Sequence, residues 1–337
     1  MLDQVTAALR AIVAQGAFAT ELVCESDNLR VEVHGAGPLR FPLSARAARQ
    51  LSEVAQLAPF GRRDKTLSDL SVRNTWEIDG RHVKIDARAW NRTLVPQLAV
   101  LRKRLGLPDD GELKASFDKL LVYGPGQFFA PHQDSERADD MVATLVVLLP
   151  SAASGGALVV AHQGQKKVFR GARRGPKDLA LIAFYADCHH EVRPVKSGYR
   201  VALTYQLHYQ ATARDERPSP TSDAVARLAR AIKAYFSGPP PSPRSDRLIY
   251  LLDHEYTQKS LSFERLKNAD RLRVDAVGAV GAVRTVGAVA DVDGGAVSAG
   301  DGGGAVSVVL HGARLSVLAG RAGTCGSNEA CREEHST

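Results

Sequence analysis

Two residues two positions apart, His132 and Asp134, and a second histidine far along the chain, His190, are the side chains best placed to do chemistry in this 337-residue sequence. Ferrous oxygenases need two neutral imidazoles and one carboxylate on one face of the metal. That leaves three adjacent positions open for a chelating co-substrate and for O2. Residues two apart point to the same side of a strand, so His132 and Asp134 can both reach one ion if the strand or its exit bends. The third ligand must come from a strand distant in the chain that lies beside the first in space, and His190 is placed for that. Its neighbour His189 competes, but adjacent strand residues face opposite sides, so only one of the two can serve. The His190-Glu191-Val192 context and the ten-residue spacing to Arg200 favour His190. An antiparallel hairpin turning at Ser197-Gly198 would bring Arg200 back toward the pocket. There its planar guanidinium suits the carboxylate of a bound acid.

Short β-rich runs must position these groups. KLLVYG, ATLVVLL, ALVVAH, KKVFRG, LALIAFY, HEVRPV and RVALTYQL follow one another between 115 and 210 with no helix between them. Such a series predicts a sandwich or barrel and not a parallel α/β sheet. Upstream, a helix is predicted in residues 1–20 and a hairpin in LRVEVHGAGPLRFPL. A helix N-capped by Ser44 follows, then a second hairpin turning at Asp79-Gly80. Leu94, Leu98, Leu101 and Leu105 fall on one face of a helix predicted over Thr93 to Leu107.

The motifs resemble those of the prolyl 4-hydroxylase alpha-subunit type of 2-oxoglutarate/Fe(II) dioxygenase. The family's proximal pattern stands here as Tyr123, Gly126, Phe128, Phe129, His132 and Asp134. Its distal pattern stands as His190, Glu191, Val192, Gly198 and Arg200, so the likeness covers about 115–210. The resemblance implies an α+β fold with a double-stranded β-helix (jelly-roll) core, flanking helices and an N-terminal α/β extension. It implies Fe(II) on His132, Asp134 and His190, and 2-oxoglutarate on Arg200, with Tyr123 and Thr144 in the same pocket. Where the family often has a second aromatic, Leu148 stands. The implied reaction hydroxylates a substrate C–H bond, such as a peptidyl proline, consuming O2 and releasing succinate and CO2, with ascorbate rescuing oxidised iron. Two other readings stay open: oxidative demethylation of a nucleic acid, and a non-enzymatic β-helix that binds metal or a small acid.

Composition sets the frame. At 44% hydrophobic and 24% charged residues the chain reads as an ordinary globular protein, and no apolar run suits a membrane span. The N-terminus has no signal-peptide pattern. Four cysteines without a CxxC argue against a zinc site or disulfide framework and for a reducing, cytoplasmic setting. A net charge of +7 admits an anionic partner, but acids and bases are mixed along most of the chain. The densest basic run (Lys166, Lys167, Arg170, Arg173, Arg174, Lys177) reads as one solvated loop, ahead of a nucleic-acid surface. Four regions are expected: 1–110, an N-terminal α/β region packing on the core; 111–210, the dioxygenase β-helix; 211–267, a proline-rich linker with a helix-strand-helix extension; and 268–337, a poorly ordered Gly/Ala/Val tail. From Asn268 onward Lys, Phe, Tyr, Trp, Ile, Met, Gln and Pro all disappear, as an out-of-frame reading of a GC-rich gene would produce.

Overall fold

The computed structural model describes residues 2–62, 65–67, 69–109, 111–134, 138, 140–171, 175–211, 220–237, 247–256 and 266–280, with short strands at 287–288, 306–311 and 314–316. Its centre is a pair of antiparallel sheets. The seven-stranded sheet runs in the order Ala19–Glu25, Asp178–Tyr185, Met141–Leu148, Arg200–Ala211, Gly111–Tyr123, Trp76–Asp79, Gln56–Leu57. The five-stranded sheet runs Gln165–Phe169, Leu158–His162, His189–Val192, Phe128–His132, Arg73–Asn74. From Gly111 onward the chain passes back and forth between the two sheets, and both contribute to one apolar core: Leu145, Val147 and Leu203 from one, Leu158, Val160 and Val192 from the other. This alternation is the double-stranded β-helix.

All seven β-rich runs of the sequence are strands or parts of strands here. Met141–Leu148 and Asp178–Tyr185 are buried at every position, which explains why their sequences do not alternate. The core between the two sheets takes one face, and the helix Ala87–Leu105 packs against Asp178–Tyr185 as well. After α1 (Leu2–Arg10) and α2 (Ala45–Val54), α3 spans Ala87–Leu105 and buries Trp90, Leu94, Leu98, Leu101 and Leu105. It begins six residues before the predicted Thr93, because Asp86 caps it by accepting from the Ala89 N–H at 3.0 Å. Gly106 ends it with φ +73°, where a Cβ would lie 2.7 Å from the Gly16 Cα.

Two sequence expectations need correcting. Trp76–Asp79 and Val83–Ile85 do not pair as a hairpin. The first joins the large sheet through Gly111–Tyr123 and the second pairs with Val31–Val33. A short 3-10 turn, Gly80–His82, capped by Asp79 on the Arg81 N–H, sends the chain to a different sheet. The basic run is likewise not one loop. Lys166 and Lys167 lie on the Gln165–Phe169 strand, where Lys167 donates to the Ala19 carbonyl at 2.8 Å and covers the Phe18 ring. Arg173 and Arg174 lie outside the described residues.

A second apolar cluster joins α1, α4 (Ser222–Ser237) and α5 (Asn268–Ala279). Val5 and Leu9 of α1 and Leu228 of α4 meet Val274 and Val277 of α5. The change of composition at Asn268 therefore comes at the start of a packed helix. A chain ending at 267 should lose this helix and melt markedly lower, since the burial of Val274 and Val277 contributes about 1.5–3 kcal/mol each. Thermal denaturation of that chain beside one ending at 281 isolates the contribution of the helix.

Candidate functional site

His132 closes the Phe128–His132 strand, and His190 lies directly opposite it in the antiparallel ladder. The register shifts between Phe129 and His132, and such an irregularity re-aims a strand end. Asp134 follows just past the strand, so the proximal pair straddles the bend that the sequence required. Asp134 Oδ1 stands 4.0 Å from His132 Nε2 and 3.7 Å from His190 Nε2, and the two rings are inclined at 52° with centroids 4.1 Å apart. The structure thus brings all three expected ligands to one point, where they could hold a metal ion.

Backbone carbonyls set both imidazoles in the tautomer that binding needs. His132 Nδ1 lies 2.9 Å from the Ala130 oxygen and His190 Nδ1 lies 3.2 Å from the Cys188 oxygen. A carbonyl only accepts, so each Nδ1 carries the proton and each Nε2 keeps its lone pair. Burial, followed by the neighbouring His190, pushes the His132 imidazole down to about 3. Burial therefore keeps this nitrogen free of a proton at neutral pH. Phe129 stacks on His132 at 3.4 Å between centroids, with the Arg73 guanidinium 4.5 Å from the centre of the Phe129 ring, while Phe184 packs on His190 at 4.6 Å. His189 is exposed and faces away, lining an open cavity of about 270 Å³ with Gln133, His162, Asp187, Asp253 and Glu255.

Thr144, expected against the co-substrate, donates its hydroxyl to Asp134 Oδ2 at 2.6 Å. This bond turns one carboxylate oxygen away and leaves Oδ1 to the imidazoles. Thr144→Val should therefore weaken Fe(II) binding about 10- to 100-fold, the usual cost of losing an outer partner of a ligand. Anaerobic titration with Fe(II) measures this; unchanged affinity would remove Thr144 from the site.

Arg200 and Tyr123 are opposite one another on neighbouring strands. The guanidinium lies 5.2 Å from the centre of the Tyr123 ring. Arg200 is buried, and its Nε and Nη2 have no hydrogen-bond partner among the described residues. Gly156, at φ +67°, gives it room: a Cβ there would lie 2.9 Å from Arg200 Cδ. Burial raises the Tyr123 hydroxyl against the pull of Arg200 and then Arg73, with the Asp134 carboxylate also acting on it. The hydroxyl is thus a neutral donor that feels both the Arg200 and Arg73 cations and the Asp134 carboxylate. Arg73, Gln133 and Cys188 also shape the site. Their only sequence signal was adjacency to the motif for the last two and none for Arg73.

Residues 119–208 match the family model described as the 2OG-Fe(II) oxygenase superfamily. No curated protein matches. Among solved structures, an oxidoreductase of the 2OG-Fe(II) oxygenase family from Burkholderia pseudomallei is similar at 17% identity, over 65% of this chain and 95% of that one, with a TM-score of 0.36. A prolyl-4-hydroxylase from Pseudomonas putida is similar at 19% identity, over 63% and 100%, with a TM-score of 0.32. A Trichoplax adhaerens prolyl hydroxylase, solved with a hypoxia inducible factor oxygen degradation domain peptide fragment, is similar at 16% identity, over 61% and 90%, with a TM-score of 0.35. The family match falls on the stretch whose two sheets converge on His132, Asp134 and His190, and residues 119–208 are a 2-oxoglutarate/Fe(II)-dependent dioxygenase domain.

Proposed function

We propose that the chain is a hydroxylase in which His132, Asp134 and His190 hold Fe(II), and Arg200 pairs with the distal carboxylate of 2-oxoglutarate. The observation that carries this reading is the Arg200 guanidinium, 6% exposed and with two nitrogens unpartnered among the described residues. A buried cation left without a counter-ion is strongly destabilising, so an anion belongs at this position. A planar fork matches a carboxylate in two parallel hydrogen bonds. The donor set also fits iron, with two neutral imidazoles and one carboxylate leaving room for a chelating co-substrate.

Bound iron would supply the activation of O2 that couples decarboxylation of 2-oxoglutarate, to succinate and CO2, with hydroxylation of a substrate C–H bond. The protein's own groups bind and orient. Thr144 fixes the Asp134 carboxylate, the Ala130 and Cys188 carbonyls fix the two imidazoles, and Phe129 and Phe184 keep water from their faces. Arg200 anchors the far end of the co-substrate, with the neutral Tyr123 hydroxyl as a second donor. Ascorbate would keep the iron ferrous between uncoupled turnovers.

The favoured substrate is a peptidyl proline, as the family resemblance suggests. The internal use of Lys167 weakens the case for a nucleic-acid surface. No helix among the described residues is long and apolar enough to cross a membrane. Free thiols at Cys24 and Cys188 suit a reducing cytoplasm. Succinate release from 2-oxoglutarate with Fe(II), run with proline peptides and with methylated oligonucleotides, tests the reading. Stimulation by the peptides is expected. Stimulation by oligonucleotides alone would make the chain a demethylase, and metal binding without succinate would make it a binding protein.

A further inference from the structure

A second cluster with the same donor types lies beside the cavity that His189 lines. His162, Asp187 and His254 place two imidazole nitrogens and a carboxylate oxygen within 4.8 Å of one another. Its geometry does not suit an ion. The two rings stack at 4.5 Å with planes only 23° apart, so their in-plane lone pairs run side by side, whereas those of His132 and His190 are inclined at 52°. The carboxylate is also already satisfied. Lys267 Nζ lies 3.2 Å from Oδ1. On Oδ2 it accepts from His254 Nδ1 at 2.9 Å and the Glu255 N–H at 3.2 Å, with His162 Nε2 at 3.5 Å.

The same turn reaches the candidate metal centre through its backbone. The Asp187 carbonyl accepts from Gln133 Nε2 at 2.8 Å, and Gln133 stands between His132 and Asp134. The next carbonyl, of Cys188, accepts from His190 Nδ1 at 3.2 Å. Residues 187 and 188 therefore hold both the loop that carries Asp134 and the ring of His190. Their own anchor is the Asp187 side chain, 5% exposed, which is gripped by residues 67 to 80 positions downstream.

Hydrogen bonds tie the described parts of that downstream segment together. Asp270, fully buried, accepts from the Asp253 and His254 N–H groups at 2.7 and 2.9 Å and from the Tyr256 hydroxyl at 3.1 Å. Tyr256 in turn accepts from the Lys267 N–H at 2.8 Å, and Lys267 Nζ also donates to the Glu255 carbonyl at 3.0 Å. Arg273 pairs with Asp253 and donates to the Leu9 carbonyl. Burial would raise the Asp187 carboxyl, but Lys267 and then His254 outweigh it and hold the group well below the usual carboxylate range.

We propose that Asp187 is a positioning residue for the metal centre: through its ion pair with Lys267 and its bonds to His254 and Glu255, residues 253–256 and 266–273 hold the His132–Asp134 loop and His190 in ligating register. The inference rests on the reading of His132, Asp134 and His190 as the iron ligands. Replacing the carboxylate would remove a counter-charge from the buried Lys267 ammonium, and the turn would move to relieve it. The movement would pass directly to two ligands, because the turn's carbonyls are their hydrogen-bond partners.

Co(II) is the probe, titrated anaerobically into full-length protein, with circular dichroism and melting recorded alongside. The wild-type chain should bind one Co(II), and Asp187→Asn should bind it about 10- to 100-fold more weakly while keeping its strand and helix signal. Gln133→Met, which cuts the loop from the turn and leaves the ion cluster intact, should weaken Co(II) with little change in melting. A purely structural role would instead lower the melting temperature of Asp187→Asn and leave Co(II) affinity alone. Unchanged affinity in folded Asp187→Asn, or in Gln133→Met should Asp187→Asn not fold, overturns the inference. So does a second Co(II) equivalent that disappears in His254→Ala. A wild-type chain that binds no Co(II), or a His132→Ala variant that binds it normally, overturns the underlying reading of the centre as well.

Discussion

His132→Ala and Asp134→Ala should each abolish 2-oxoglutarate turnover while the protein stays folded. Losing even an outer partner of a metal ligand costs about 10- to 100-fold, and losing the ligand itself should cost more than that range. The fold should survive because neither side chain belongs to the apolar core; they are 22% and 31% exposed. Removing His132 also removes an imidazole that burial keeps neutral, so the metal-free protein loses nothing that it needs at neutral pH. Purified variants with normal circular dichroism and no succinate above background are the expected result. Near-wild-type succinate from either one would show that the metal lies elsewhere.

Arg200→Met should raise the KM for 2-oxoglutarate sharply and leave Fe(II) binding nearly intact. A charge-assisted bidentate pair contributes about 2–3 kcal/mol, which corresponds to roughly 30- to 150-fold. The variant also discriminates by its effect on stability. Methionine keeps much of the volume but removes a buried, unpartnered guanidinium, so the ligand-free variant should melt no lower than wild type, or higher. Added 2-oxoglutarate should then stabilise wild type and not the variant. Arg200→Lys should recover only part of the affinity, since an ammonium cannot fork across a carboxylate. An unchanged KM in Arg200→Met would remove Arg200 from the co-substrate site.

The candidate site was legible where chemistry restricts residue type. Imidazole and carboxylate suit a metal and a guanidinium suits an acid, so type, spacing and family resemblance together marked His132, Asp134, His190 and Arg200 as candidates, and the fold brings the first three together. The β-helix strands were legible for a related reason: Met141–Leu148 and Asp178–Tyr185 are buried on both faces and so read as unbroken apolar runs. Thr144 was assigned by resemblance, and a hydroxyl's partner cannot be read from its type; here it is Asp134 Oδ2. The start of α3 was missed because the leucine periodicity begins only at Leu94, one turn or more after the Asp86 cap. The hairpin expected at Asp79-Gly80 failed because local turn chemistry says nothing about which sheet each arm will join.

The Asp187 cluster had no sequence signature at all. Its members, His162, Asp187, His254 and Lys267, come from separate elements and are joined only by the tertiary fold. Composition misled at Asn268 for a comparable reason. Alanine, valine and paired charges suffice for a helix when neighbours supply an apolar seat, and Val5, Leu9 and Leu228 supply it for Val274 and Val277.

The central claim is that Fe(II) and 2-oxoglutarate meet at His132, Asp134, His190 and Arg200. The most direct measurement is the visible metal-to-ligand charge-transfer absorbance on adding 2-oxoglutarate to the anaerobic Fe(II) protein. The band should appear in the wild-type chain, vanish in His132→Ala, and need far more 2-oxoglutarate in Arg200→Met. A wild-type chain without the band, or a His132→Ala variant that keeps it, would contradict the account.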